Sequence, residues 1–241
     1  MEFEYFKKSL WDCFDENSMA DLLDDDKINK LYGFANLLVE TNEKMNLTAI
    51  TDADGIIFKH FADCARLCRH IEQNKTVIDV GCGAGFPSLP LAILRPDLCI
   101  TALDSTAKKT VFISECAKSL GVNNITTVAA RAEEFAREHR ESFDYATSRA
   151  VARLNILCEL CVPLVKAGGC FVPLKASKAQ EEMNEAKKGV GMLGASLKAS
   201  DEYNLSYKGE VLERCIFEIK KQTATNNKYP RNYSQIAKKP L

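Results

Sequence analysis

The stretch Val77-Ile78-Asp79-Val80-Gly81-Cys82-Gly83-Ala84-Gly85-Phe86 decides how the rest of the 241-residue chain is read. Residues 77–80 form a short apolar run suited to a buried strand, three glycines follow at alternate positions, and Pro87 opens an apolar helical stretch. Strand, glycine loop and helix start is how an α/β protein brings its backbone close to a nucleotide-like ligand.

Downstream of this stretch, strands and helices alternate. Strands are expected at 77–80, 98–103, 125–129, 143–147 and 170–174, and helices at 87–95, 106–119, 133–138, 153–166 and 178–190. Pro96 stops the first helix, Gly121 the second, and Gly168-Gly169 the one begun at 153. Repeated βα units require right-handed crossovers and a parallel sheet covered on both faces. The end departs from the repeat, because 196–207 and 211–219 read as two strands joined around Lys208-Gly209, an antiparallel hairpin.

Upstream, 3–16 and 27–44 carry apolar residues at helical spacing, and a third helix is expected from 54 to 71 with Ile57, Phe61, Cys64, Ala65 and Cys68 on one face. Asp24-Asp25-Asp26 precedes the second helix, where negative charge suits the positive end of the dipole. The expected organisation is an N-terminal helical region (1–72), an α/β core with a mostly parallel seven-stranded sheet (73–220) and a basic tail (221–241).

Composition is that of an ordinary globular protein, 46% hydrophobic and 27% charged, with no apolar run long enough to span a bilayer. The acidic N-terminus lacks the basic and apolar regions of a signal peptide, so the cytoplasm is the expected compartment. Ten cysteines are scattered through apolar patterns, and neither Cys64/Cys68 nor Cys158-x-x-Cys161 has the partners a zinc site needs. Buried reduced thiols and no metal are expected. Charge is uneven. Residues 1–54 hold 5 basic against 13 acidic side chains, whereas 220–241 hold 6 basic and no acidic ones. Such a tail suits a polyanion partner, and equally a solvated terminus.

At the glycine loop the dinucleotide fingerprint wants a third glycine where this chain has Phe86. S-adenosylmethionine has no pyrophosphate to cradle, so a bulky residue there is acceptable. Asp104 ends the second strand, where a carboxylate accepts hydrogen bonds from ribose hydroxyls or caps the helix beginning near Thr106. Arg131-Ala132-Glu133-Glu134 follows the third strand, where an adenine would lie against the backbone of 132–133. Together these features, with the closing hairpin, resemble a class I S-adenosylmethionine-dependent methyltransferase of Rossmann-like α/β fold. Asp79 in its Asp-x-Gly run is typical of that class, supporting the loop and the cofactor's amine.

The fourth-strand exit, Tyr145-Ala146-Thr147-Ser148-Arg149-Ala150-Val151-Ala152, has neither the Pro-Pro-aromatic run of exocyclic-amine methyltransferases nor a Pro-Cys nucleophile. Guanine N7 suits such a site, since its in-plane lone pair is free at neutral pH and catalysis reduces to alignment and exclusion of water. Asn46-Leu47-Thr48, His60-Phe61-Ala62-Asp63, the 78–87 stretch, Leu103-Asp104-Ser105, Arg131-Ala132-Glu133-Glu134-Phe135, Ser148-Arg149-Ala150 and Lys228-Tyr229-Pro230-Arg231 occur in order along the chain. In these the chain resembles the bacterial small-subunit ribosomal RNA guanine-N7 methyltransferase family (RsmG, also called GidB).

That resemblance implies cofactor contacts from Gly81, Phe86, Ala132, Glu133 and Arg149, with Asp104 on the ribose and Asp79, Gly83 and Gly85 shaping the loop. It implies a guanosine of 16S ribosomal RNA, or the small ribosomal subunit, as partner; a monomer and no membrane association are expected beside it. Ser88 departs from a usual glycine, Lys109 from a common arginine, and Ser234-Gln235-Ile236 from a usual Gly-x-Pro in the tail. Arg149 suits cofactor or phosphate alike. Asn46, His60 and Asp63 are the weak candidates for the substrate side, with His60 and Asp63 one helical turn apart as a possible structural pair. Lys108, Lys109, Arg153, Lys228 and Arg231 are the candidate RNA contacts, with Lys7-Lys8, Lys175, Lys178 and Lys187-Lys188 as further cations. Competing readings are a small-molecule methyltransferase on this fold, a non-catalytic nucleotide- or RNA-binding protein, and an NAD dehydrogenase.

Overall fold

The computed structural model describes residues 1–241. Parallel strands β1 (Thr76–Val80), β2 (Cys99–Asp104), β3 (Ile125–Ala129) and β4 (Phe143–Thr147) lie in the order β3-β2-β1-β4, followed by β5 (Val165–Phe171). The chain therefore winds away from β1 in both directions, leaving a crevice at the carboxyl ends of β1 and β4, where α/β sheets bind ligands. No helix is long and apolar enough to cross a membrane.

Beyond β5 the ladder turns antiparallel. β8 (Glu210–Lys221) pairs with β7 (Ala195–Tyr207) along one edge and with both β5 and the short β6 (Leu174–Ala176) along the other. The sheet thus counts eight strands rather than the expected seven. Register against β8 is unbroken from Cys170↔Lys220 to Ala176↔Arg214, so β6 continues β5 past an interruption at Val172-Pro173. Proline lacks the N–H that the ladder requires there.

Helices cover both faces. One is packed by α1 (Phe3–Glu16), α2 (Asp25–Met45) and a helical run from α3 (Ala53–Gly55) through π-helical turns Ile56–Ala62 to α4 (Asp63–Ala65) and a 3-10 turn, Arg66–Arg69. The same face carries α5 (Ser88–Leu94) and α6 (Ala107–Ser119). The other face is packed by α7 (Ala132–Glu138), α8 (Leu154–Cys161) and α9 (Ala179–Met192). Asp24 caps α2 by accepting the Lys27 N–H at 2.9 Å, as its acidic run implies.

Two boundaries differ from the pattern reading. The helix expected over 153–166 ends at Cys161, because Pro163 has no N–H to continue it. Gly168-Gly169, expected as its stop, lies inside β5, where a Cβ at Gly169 would meet the Asp144 carbonyl oxygen at 2.3 Å. The tail is ordered and adds α10 (Tyr233–Lys238), which packs on α8. Nine of the ten thiols are buried, and burial pushes Cys68, Cys116 and Cys158 up to about 12.

Candidate active site

A cavity of about 480 Å³ opens at the carboxyl ends of β1 to β4, a volume suited to a small-molecule cofactor. Its floor is the glycine loop. The Gly81 and Cys82 N–H groups donate to the Leu103 carbonyl at 2.8 and 3.0 Å, tying the loop to the end of β2. Asp104 completes the tie: Oδ2 accepts the Gly83 N–H at 3.0 Å and Oδ1 the Thr106 N–H at 2.8 Å. Asp104 thus lines the cavity and organises the start of α6 as well. Gly81 adopts φ +77, and a Cβ there would meet Val151 Cγ2 at 2.5 Å, so only glycine lets the β4 exit close over the loop.

That exit is clamped from both sides. Ser148 Oγ donates to the Val80 carbonyl and Thr147 Oγ1 to the Val172 carbonyl, each at 2.8 Å. Ala150 takes a left-handed conformation, φ +57, and Val151 lines the cavity. Gly85 and Asp79 lie outside the lining. Gly85, at φ +97, faces Ile113, Leu89 and Phe34, where it serves packing. Asp79 is fully buried, accepts the Ser88 N–H at 3.1 Å, and is pushed by burial up to about 7.

Phe86 is held between three groups. His60 stacks on it at 4.4 Å between centroids, Phe34 packs at 5.2 Å, and the Arg149 guanidinium carbon lies 5.3 Å from its centroid, within cation–π range. Arg149 donates to the Lys59 carbonyl, to Asp63 Oδ2 at 2.9 Å and to His60 Nδ1 at 3.1 Å. Arg214 Nε donates to the other Asp63 oxygen at 2.9 Å. His60 and Asp63 are therefore not a direct pair, because arginines occupy both carboxylate oxygens.

Burial and the Arg149 charge hold the His60 imidazole near pKa 4. Nδ1 lies 3.1 Å from both the Arg149 guanidinium, which can only donate, and the Lys59 carbonyl, which can only accept, and Nε2 shares a hydrogen bond with Thr48 Oγ1 at 3.1 Å, so both ring nitrogens are engaged in either tautomer. Thr48 also accepts the Ile50 N–H, and both Leu47 and Thr48 line the cavity. Asn46 does not line it. Its left-handed conformation, φ +49, ends α2 and turns the chain toward Thr48.

Ala132, Glu133, Arg131 and Lys109 line the far end of the cavity, with Lys108 exposed beside it. Other expected RNA contacts are engaged elsewhere. Arg153 pairs with Glu181 and Glu185, Lys175 is buried against Glu182, and Lys7 pairs with Asp25. Arg231 commits Nε and one terminal nitrogen to the fully buried Glu159, so it anchors the tail instead of offering an open fork. Lys228 lies 5.1 Å from the Tyr229 ring centroid. No cluster of three or more His, Cys, Asp or Glu side chains could hold a metal ion.

A profile of the family described as "GidB: rRNA small subunit methyltransferase G" matches residues 27–205. The chain belongs to that family. Ribosomal RNA small subunit methyltransferase G of Desulfitobacterium hafniense is 46% identical over 91% of this chain and 91% of its own. The protein of that name from an Exiguobacterium species is 45% identical over 91% and 93%. The crystal structure of M. jannaschii TYW2 in complex with AdoMet superposes with TM-score 0.57 at 16% identity over 73% of this chain and 80% of that one, which shows the fold alone. As a GidB protein the chain is an S-adenosylmethionine-dependent methyltransferase of class I fold.

The pattern reading missed Thr48, Val151, Leu160 and Tyr233, all of which line the cavity. Thr48 and Val151 lie within quoted stretches whose other members are singled out. Leu160 and Tyr233 carry no local signal, since the helix register and a tail contact place them.

Proposed function

We propose that the enzyme methylates N7 of a guanosine in 16S ribosomal RNA, acting in the cytoplasm as a monomer. One observation carries the choice of atom: every titratable side chain beside Phe86 is already committed. Asp63 is held by two arginines, and His60 spends one ring nitrogen on Arg149 and the other on Thr48. No base is free to take a proton, and N7, unlike an exocyclic amine, has none to lose.

When bound, the cofactor supplies an electrophilic methyl on a sulfonium, whose loss as a neutral thioether balances the charge acquired by N7. An orphaned buried atom supports the fit of its amino-acid end: Arg149, which lines the cavity, leaves its Nε without a partner in the protein, and the cofactor's carboxylate would supply one, while Asp79, buried behind the lining against Ser88, would support the loop. Asp104 would hold the ribose, and Gly81, Gly83, Phe86, Ala132 and Glu133 would shape the remaining contacts. Phe86, stacked on His60, and the loop around Val151 exclude water and align the acceptor nitrogen.

Lys108 and Lys109 are the phosphate contacts best placed beside the cavity. The test is transfer of labelled methyl from S-adenosylmethionine to small-subunit RNA and particles, with mapping of the modified base. Modification at an adenine or at a guanine exocyclic amine would refute the N7 assignment.

A further inference from the structure

The tail is held with unusual care for a terminal segment. Glu159 of α8, fully buried, accepts from the Arg231 backbone N–H and from Arg231 Nε, both at 2.8 Å. Burying such a pair costs desolvation and is weak as a source of stability, so position is its better-supported yield. Asn232 Oδ1 accepts from Arg137 of α7 at 2.6 Å, and Ile236 of α10 is fully buried.

The residue placed by these ties is Tyr233. Arg231 is bound to α8, which supplies Leu160 to the cavity, and Asn232 to α7, which opens with the cavity residues Ala132 and Glu133. Tyr233, next in the chain, lines the same cavity. It is 41% exposed, so one face of its ring is left open at the cavity mouth. The helix that carries it stands where the family resemblance leads one to expect Gly-x-Pro. Ser234-Gln235-Ile236 removes both helix breakers, so α10 forms and its buried Ile236 fixes the turn.

We propose that Tyr233 is the outer wall of the nucleoside end of the cofactor cavity, its ring packing on the purine of bound S-adenosylmethionine. The proposal rests on reading the cavity as the cofactor site, with the adenine at its Ala132–Glu133 end. A half-exposed aromatic beside an adenine contributes by stacking, which is indifferent to ring substituents.

The experiment is titration calorimetry of the full-length protein with S-adenosylmethionine, S-adenosylhomocysteine and 5′-methylthioadenosine, which lacks the amino-acid end. Tyr233→Ala should weaken all three by a similar factor, roughly five- to a hundredfold on the scale of base–aromatic stacking. Tyr233→Phe should stay within about twofold of wild type, and Tyr233→Leu should fall between, since the ring face does the work. Thermal melts should show all variants folded. Wild-type binding with unchanged affinity in Tyr233→Ala overturns the proposal and leaves the cofactor reading intact. An effect confined to KM for RNA also overturns it, assigning the ring to the substrate. Failure of the wild type to bind any of the three overturns the cofactor reading itself, and this proposal with it.

Discussion

Replacing Asp63 by alanine should destabilise the protein far more than an ordinary carboxylate deletion. Its side chain is 6% exposed, and it is the shared partner of Arg149 and Arg214, 14% and 18% exposed, at 2.9 Å each. Deletion leaves two guanidinium groups with little access to water, and breaking a buried ion pair costs about 3–5 kcal/mol. In a chain of this size about 1 kcal/mol moves Tm by roughly 2–4 °C, so a drop on the order of 6–20 °C is expected by calorimetry. Arg149 would also lose the contact that orients it toward Phe86, and affinity for S-adenosylmethionine should fall with it. The decisive comparison is the triple variant Asp63→Leu, Arg149→Met, Arg214→Met. It removes the charges together and should recover much of the lost Tm without recovering activity. A single variant melting within about 1 °C of wild type would refute the reasoning, because the network would then be solvated and dispensable.

Three further outcomes follow from the same geometry. With its folded pKa near 4 against an ordinary 6.5, His60 stays neutral in the fold, so stability is lost as pH falls from 6.5 toward 4. The loss attributable to His60 at pH 5 is about 2 kcal/mol, read as the difference between wild type and His60→Gln in urea melts at pH 7 and 5. Asp79, with its raised pKa of about 7, acts in the opposite direction, favouring the fold as pH drops from 7 toward 3.8, but it is common to both proteins. Gly81→Ala meets Val151 at 2.5 Å in a left-handed backbone, and should lower cofactor affinity at least tenfold by calorimetry while costing about 1–2 kcal/mol in stability. For RNA, Lys108→Ala and Lys109→Ala should each flatten the slope of log affinity against log salt by about 1, whereas Arg153→Ala, already neutralised by two glutamates, should leave it unchanged.

Elements set by local rules were legible in the sequence. Apolar runs ending in glycine gave β1 and its loop, Asp104 stood at a strand tip, and Asp24 capped α2. The errors of extent came from two prolines whose missing donors the apolar pattern conceals, Pro163 after α8 and Pro173 between β5 and β6. Side-chain placement was less legible because its partners are remote. Asp63 looks like the partner of His60 three residues away, yet it meets Arg149 and Arg214, 86 and 151 residues distant. Arg231 reads as a free tail cation until Glu159, 72 residues earlier, turns out to be buried beneath it.

The π-helical turns at Ile56–Ala62 bear on how length changes are tolerated. Such a turn holds more residues than the α-helix it interrupts, so the faces before and after it are out of phase. Deleting one residue inside it would restore a plain helical repeat at the expense of a rotation of about 100° between its two ends. His60 and Asp63 would then present to different neighbours, although every side chain named at the site would still be in the chain. A chain otherwise identical but one residue shorter here would keep the fold and lose the network around Arg149.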